Sequence, residues 1–339
     1  MEPQTRSVGG DKISQMNSIF HEIQTLYDAG YPIFTKDNIR KVGEELEQFR
    51  TGERNSGNVI IKGVNGVDYE IFVQSPSLGP PRPNQILGGS KWVIFYYSIE
   101  SLTTFKLPDL RLFNPQLAYL PMQIRSPIRL RLGYNVPIDE EPLLLPTEEY
   151  FRMYQTIEEQ WKMSPYYVQL EEILSSIKIP FALTKVIALA LGSLVVRSQI
   201  NKRSFLQHAL ISAIHSTLVR RSILSASSEK YVQDPGYTQR DKDIIHSAGL
   251  TVLDDPQALL ELDESSVLVS IAANIPVADI VADTCRPGII IWSDRARSGL
   301  TLNHRVKKMI QNEYTEMSFP HHEECFGNLK MVLLLRKST

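Results

Sequence analysis

The stretch Lys185 to Ser193, KVIALALGS, constrains this chain more than any other. Val186, Ile187, Leu189 and Leu191 form a short apolar run, bounded by Pro180 upstream and Gly192-Ser193 downstream. Such a run suits a parallel strand buried on both faces, because helices cover both sides of a parallel sheet. Strand-like and helix-like patterns then alternate to the end of the chain, as βαβ units require. A helix of about 15 residues from Arg203 carries Leu206, Ala209, Leu210, Ala213 and Ile214 at helical spacing. Strands are predicted at 230–233, 250–253, 266–271, 288–292 and 329–335, and helices at 241–248, 277–283 and 306–313. The fold class that follows is α/β, a mostly parallel sheet flanked by helices, with an N-terminal α+β extension.

The N-terminal part reads differently. Residues 1–12 read as a disordered tail. Ile13, Met16, Ile19, Phe20, Ile23, Leu26 and Tyr27 then recur as one helix face until Gly30. A second helix from Thr35 or Asp37 carries Ile39, Val42, Leu46 and Phe49. Asn65-Gly66 between two strand-like runs signals a hairpin, since both residues tolerate positive φ. The Pro- and Gly-rich stretch 75–90 reads as a loop, and Trp92 to Tyr97 as a strand. Between 107 and 146 prolines recur, and Arg125, Arg129 and Arg131 are expected at a solvated edge. Thr147 is the expected hydroxyl cap of a helix carrying Tyr150, Tyr154, Ile157 and Trp161, and Ser164-Pro165 starts the next. The expected organisation is a tail at 1–12, an α+β region at 13–146 and an α/β domain at 147–339.

Composition excludes several classes. A net charge of -2 over 339 residues gives no general attraction to nucleic acid. The two cysteines, Cys285 and Cys325, lack metal or redox spacing, which points to a reducing compartment. The first residues hold no apolar signal core, and no apolar run is long enough to span a bilayer. A cytoplasmic or nuclear protein that avoids membranes is expected.

Right-handed crossovers put the turns after the strands on one edge of the sheet, where ligands of open α/β sheets bind. That singles out Gly192, Ser193, Asp234, Asp255 and Asn274 as candidate binding residues. Gly192-Ser193 could present amides to a phosphate or carboxylate, and Asp234 could accept from ribose hydroxyls. Asn274-Ile275-Pro276 loosely resembles the Asn-Pro-Pro-aromatic corner of amino-methyltransferases. S-adenosylmethionine or a nucleotide are therefore the cofactors to consider. Against this, G-x-G-x-x-G is absent, LVVRS follows where a second glycine belongs, and Asp234 lies about twice as far on as the dinucleotide fingerprint places its acid. A tight turn at the glycine and Asp-Pro corners that end strands would explain the same residues.

Other groupings are weaker. Adjacent histidines such as His321 and His322 rarely converge on one metal ion, and no metal site is expected. His208 and His215 are one heptad apart, too far for an i, i+4 ligand pair. Cys285 lies between Asp283 and Arg286 without a histidine motif, and Arg286 could pair with Asp283 or Asp234. Ser193 lacks the G-x-S-x-G context of a nucleophile, so no catalytic residue is named.

Taken in order, Gln233 to Thr238 (QDPGYT), Asp241-Lys242, Gly249 to Pro256 (GLTVLDDP), Leu260 to Ser265 (LELDES), Asn274 to Val277, Ile280 to Pro287 (IVADTCRP) and Ile289 to Trp292 resemble the fungal branch of the sensitivity to red light reduced (SRR) family, over about residues 180–295. The resemblance implies a Rossmann-like domain and a regulatory role, tied in members to light and clock signalling in plants, haem-linked regulation in animals and cytoskeletal phenotypes in yeast. It brings no established catalytic residues. Two functions remain open: a regulatory, ligand-sensing or interaction protein acting on a protein partner or small molecule, or a small-molecule transferase with an S-adenosylmethionine-type site in a fungal metabolic pathway.

Overall fold

The computed structural model describes residues 7–74, 85–86, 92–104, 114–125, 130–131, 145–196, 199–293 and 302–338. The Pro- and Gly-rich stretch thus lies outside the described residues except Gln85-Ile86, which pair antiparallel with Leu130-Arg131. Arg129 and the side chain of Arg131 also lie outside. Two compact units are present, one of residues 1–76, 92–126 and 275–284, the other of 77–91, 127–274 and 285–339.

In the first unit a helix spans Ser7–Asp28, so it begins inside the stretch expected as a tail. Met16, Ile19, Phe20, Ile23 and Tyr27 are buried, whereas Ile13, on the same predicted face, is exposed. Gly30 has φ +95°, and the amide of Tyr31 reaches back to the Leu26 carbonyl, a left-handed stop that satisfies the helix end. Helix Lys36–Arg50 is capped by the Thr35 hydroxyl and buries Ile39, Val42, Leu46 and Phe49. Strands Ser56–Lys62 and Asp68–Gln74 form the hairpin, with Gly66 at φ +79° in its turn. Val93–Tyr96 pairs with Met122–Arg125. Arg125 lies with its guanidinium 4.5 Å from the centre of the Phe95 ring and bonded to Gln123 at 3.0 Å, a packed position instead of a solvated edge. Helix Val277–Thr284 belongs to this unit, and its Asp283 accepts from the amides of Ile33 at 2.7 Å and Phe34 at 3.1 Å.

The second unit is built on a seven-stranded sheet. In chain order its strands are β1 (Lys185–Leu189), β2 (Glu229–Gln233), β3 (Thr251–Val252), β4 (Ser266–Ser270), β5 (Ile289–Ser293), β6 (Tyr314–Ser318) and β7 (Met331–Arg336). Their spatial order is β3-β2-β1-β4-β5-β7-β6. The first five are parallel, and β7 runs antiparallel to both β5 and β6. The α/β sheet read from the sequence is therefore present. β6 was not predicted: Tyr314 is its one buried residue, and YTEMS shows no apolar alternation because an edge strand has little to bury.

Helices α1 (Thr147–Lys162), α2 (Pro165–Ser176), α3 (Lys202–Arg220) and α4 (Gln239–Ser247) flank this sheet. Tyr150, Tyr154, Trp161, Leu170 and Leu174 join Phe205, Leu206, Leu210 and Ile214 in one apolar core with Val186, Ala188, Val267 and Val269. α3 is buried nearly all round, so its apolar residues spread beyond one stripe. Thr147 is the first residue of α1 and not its cap, for Pro146 occupies the cap position without a side-chain bond. The Glu148 and Glu149 charges remain at the positive end of that helix.

Candidate functional site

Because β1 to β4 are parallel, the corners that follow them lie on one rim of the sheet. Gly192-Ser193 follows β1, Asp234 follows β2, Asp255 follows β3 and Asn274 follows β4. β1 sits between β2 and β4, so the strand order reverses between β1 and β4, the place where open α/β sheets form a crevice. Leu189 at the end of β1 is paired with Ser270 at the end of β4. Just beyond these partners, Ala190 and Ala272 both hold left-handed backbone, at φ 61° and 54°. Alanine disfavours that region, and strain of this kind gathers at sites whose surroundings over-determine the turn.

The turn after β1 is held by two carboxylates. The amide of Gly192 (φ +76°) donates to Asp234 Oδ2 at 2.8 Å, while Asp234 Oδ1 accepts from Gly236 at 2.8 Å. Asp241, fully buried in the first turn of α4, accepts through Oδ1 from the amides of Leu194 (2.8 Å) and Val195 (3.2 Å). Its Oδ2 accepts from the hydroxyls of Ser193 (2.8 Å) and Thr238 (2.9 Å) and from the Thr238 amide (2.8 Å). A buried carboxylate is tolerated only with such a full set of donors.

The carbonyls of the same turn are also engaged. Asn201 Nδ2 donates to the Ser193 carbonyl at 3.1 Å, and the Ser204 hydroxyl lies 2.7 Å from the Leu191 carbonyl and 2.5 Å from that of Gly192. One turn further along α3, His208 Nδ1 meets the Ser204 carbonyl at 2.7 Å. A carbonyl only accepts, so Nδ1 carries the proton and Nε2 accepts from the Tyr237 hydroxyl at 2.8 Å. Burial pushes the His208 pKa down to about 4, against smaller upward pulls from the Ser204 carbonyl and Asp241, and the ring is neutral. Burial likewise raises the Tyr237 hydroxyl well above its usual value, with Asp234 and Asp241 adding to the rise.

At the next corner the Gln233 side chain spans the gap between β2 and β3. Its Nε2 donates to Asp255 Oδ1 at 3.2 Å and its Oε1 accepts from the Ala258 amide at 2.8 Å. Asp255 is buried, whereas Asn274 is exposed. The sequence candidates thus share a rim but differ in state: Gly192, Ser193, Asp234 and Asp255 are bonded within the protein, and Asn274 is open to solvent.

Asp241 is not among the sequence candidates, although Thr238-x-x-Asp241 is a capping-box pattern that points to it, and the reciprocal bonds of that box are present. Nothing in the sequence marks Ala190 or Ala272. Away from the rim, Arg286 is paired with Glu313 at 2.6 Å. His322 Nδ1 accepts from the Cys325 amide at 3.2 Å, capping helix Glu323–Phe326. No cluster of metal-binding side chains occurs among the described residues, and no described helix is long and apolar enough to cross a membrane.

Residues 170–329 match the SRR1 domain. Most of that span lies in the second unit, and residues 275–284 of it lie in the first. No curated protein matches the chain. Among solved structures, a methyltransferase from Geobacter sulfurreducens is similar at 13% identity and TM-score 0.32, over 57% of this chain and 92% of its own. A protein from Corynebacterium glutamicum is similar at 10% identity and TM-score 0.32, over 58% and 93%. A Thermoplasma acidophilum protein follows at 10% identity and TM-score 0.27, over 52% and 99%. The SRR1-like region includes β1 to β6, Asp241 and all five candidate rim residues.

Proposed function

We propose that this is a regulatory SRR1-like protein of the fungal branch, acting inside the cell. In this reading the rim at Gly192, Ser193, Asp234, Asp255 and Asn274 senses a small ligand bearing hydroxyls or a positive charge. One observation carries the reading: the amides of Gly192, Leu194 and Val195 already bond to Asp234 and Asp241. In a phosphate-binding turn such amides face the ligand. Here two internal carboxylates stand where phosphate oxygens would, and their charge disfavours a further anion. S-adenosylmethionine, cationic and free of phosphate, suits this rim better than a nucleotide.

A second reading, a small-molecule transferase with an S-adenosylmethionine-type site, is favoured by the exposed Asn274 that precedes Ile275-Pro276 after β4. Calorimetry of the full chain against S-adenosylmethionine, ATP and NAD tests both. Regulation by a phosphate-free ligand expects heat with S-adenosylmethionine alone, weakened in Asn274→Ala and Asp234→Ala, and no S-adenosylhomocysteine formed in cell extract. Turnover to S-adenosylhomocysteine would establish the transferase instead. Binding of ATP or NAD would overturn the ligand class, and silence with all three would remove the small-molecule reading.

A further inference from the structure

A hollow of about 670 Å³ lies at the far edge of the sheet, around the turn that joins β6 to β7. β6 is the edge strand, and its last residue, Ser318, pairs with Val332 near the start of β7. Met317, Phe319, Met331 and Val332 line the hollow with apolar atoms, and Ser318, His321, Asn328 and Lys330 add polar groups. Phe319 is held from behind by Phe326, with ring centres 6.1 Å apart, and Phe326 by Tyr166 at 6.2 Å. The apolar wall is thus fixed by the core, while the polar groups project from the turn. Ligand pockets of about 300–1,000 Å³ combine these two elements, an apolar lining and a few polar groups that orient the guest.

Charge decides what such a guest carries. Among the described residues no hydrogen bond or ion pair engages the Lys330 ammonium, and His321 stands at the same turn. The one carboxylate in the lining, Glu316, lies further along β6, opposite Leu334. Another hollow, of about 780 Å³ and lined by Arg286, Arg336 and Lys337 among others, shows the contrast. There Arg286 is paired with Glu313, Arg336 covers the Phe181 ring at 4.2 Å, and Lys337 Nζ donates to the carbonyls of Gln311 and Asn312. Arg286 and Lys337 thus engage the end of helix His304–Glu313 and Arg336 packs on a ring, whereas Lys330 has no such contact among the described residues.

We propose that the β6–β7 hollow binds a small amphipathic anion, its apolar body against Met317, Phe319 and Met331 and its carboxylate or sulfonate head towards Lys330 and His321. This site is separate from the rim at β1 and β4 and does not depend on it. The probe is 8-anilinonaphthalene-1-sulfonate, followed by fluorescence on the folded full chain, with decanoate and decanol as competitors. One probe is expected to bind per chain, displaced by decanoate more strongly than by decanol. Lys330→Glu should weaken it by about fivefold, an exposed charge contact being worth up to about 1 kcal/mol, and Lys330→Arg should restore it. Ser318→Trp, at an exposed position, should fill the hollow and abolish binding. Binding indifferent to Lys330→Glu and Ser318→Trp, or decanol competing as well as decanoate, would overturn the proposal.

Discussion

The Gly192 amide and the Asp234 carboxylate, 2.8 Å apart, tie the end of β1 to the end of β2. An open α/β sheet commonly leaves its first turn free for a ligand, and here that turn is closed by the chain's own acids. Asp241, in the first turn of α4, completes the arrangement, so the geometry of the rim depends on two carboxylates more than on any glycine motif.

Asp241 is predicted to be the most sensitive polar residue of the second unit. Asp241→Ala would leave the amides of Leu194 and Val195 and the hydroxyl of Ser193 without their acceptor, at a cost of about 3 kcal/mol or more. Asp241→Asn keeps one acceptor oxygen and should cost less. Urea unfolding at pH 7 measures both, and equal stability in all three proteins would refute the role given to this carboxylate.

The two left-handed residues after β1 should respond in opposite directions. Gly192→Ala places a Cβ with room to spare, 3.6 Å from Ser204 Oγ, so its cost is the backbone term of about 1 kcal/mol. Ala190→Gly removes the same term at φ 61° and should be neutral or slightly stabilising despite the greater freedom of the unfolded chain. Thermal melts of the pair decide the point.

Gly288 is a packing requirement. A Cβ there would come within 2.5 Å of Phe181 and 2.6 Å of Leu183, and 3.2 Å from the Glu264 carbonyl, which cannot swing away. Gly288→Ala is expected to destabilise by about 2 kcal/mol through overpacking, read as a lower denaturant midpoint. The double variant Gly288→Ala, Phe181→Ala should recover part of it.

Acid should destabilise the fold through His208. Its folded pKa is about 4 against an ordinary 6.5, so the neutral ring contributes fully above 6.5, and stability falls as pH drops from 6.5 towards 4 while the unfolded chain takes up the proton. The loss for this one group is about 3 kcal/mol. His215 and His322 are lowered by burial and act in the same direction. His208→Gln should flatten the stability profile between pH 6.5 and 4, and an unchanged slope would show that His208 is not the group responsible.

Much of the fold is legible in the residues because burial on two faces leaves a plain record. The strands that became β1, β4 and β5 are near-continuous apolar runs, and the helices around them carry a 3.6-residue period. Edge strands leave no such record, which is why YTEMS carries no strand signal while the run Leu329 to Leu335 marks its strand to within two residues. The SRR-type resemblance likewise lies in local runs, and its span of about 180–295 falls within residues 170–329, which match the SRR1 domain.

The candidate site was legible only as a set of positions. Parallel strands force Gly192, Asp234, Asp255 and Asn274 onto one rim, and strand patterns alone suffice for that inference. Whether the Gly192 amide faces a ligand or Asp234, and whether Asp241 caps one helix or anchors the turn 47 residues before it, depends on distances between segments remote in the chain. Hydrophobic period is a property of neighbours along the sequence, so it determined the layers. The pairing of each buried donor with an acceptor is a property of neighbours in space, and only the tertiary structure decided it.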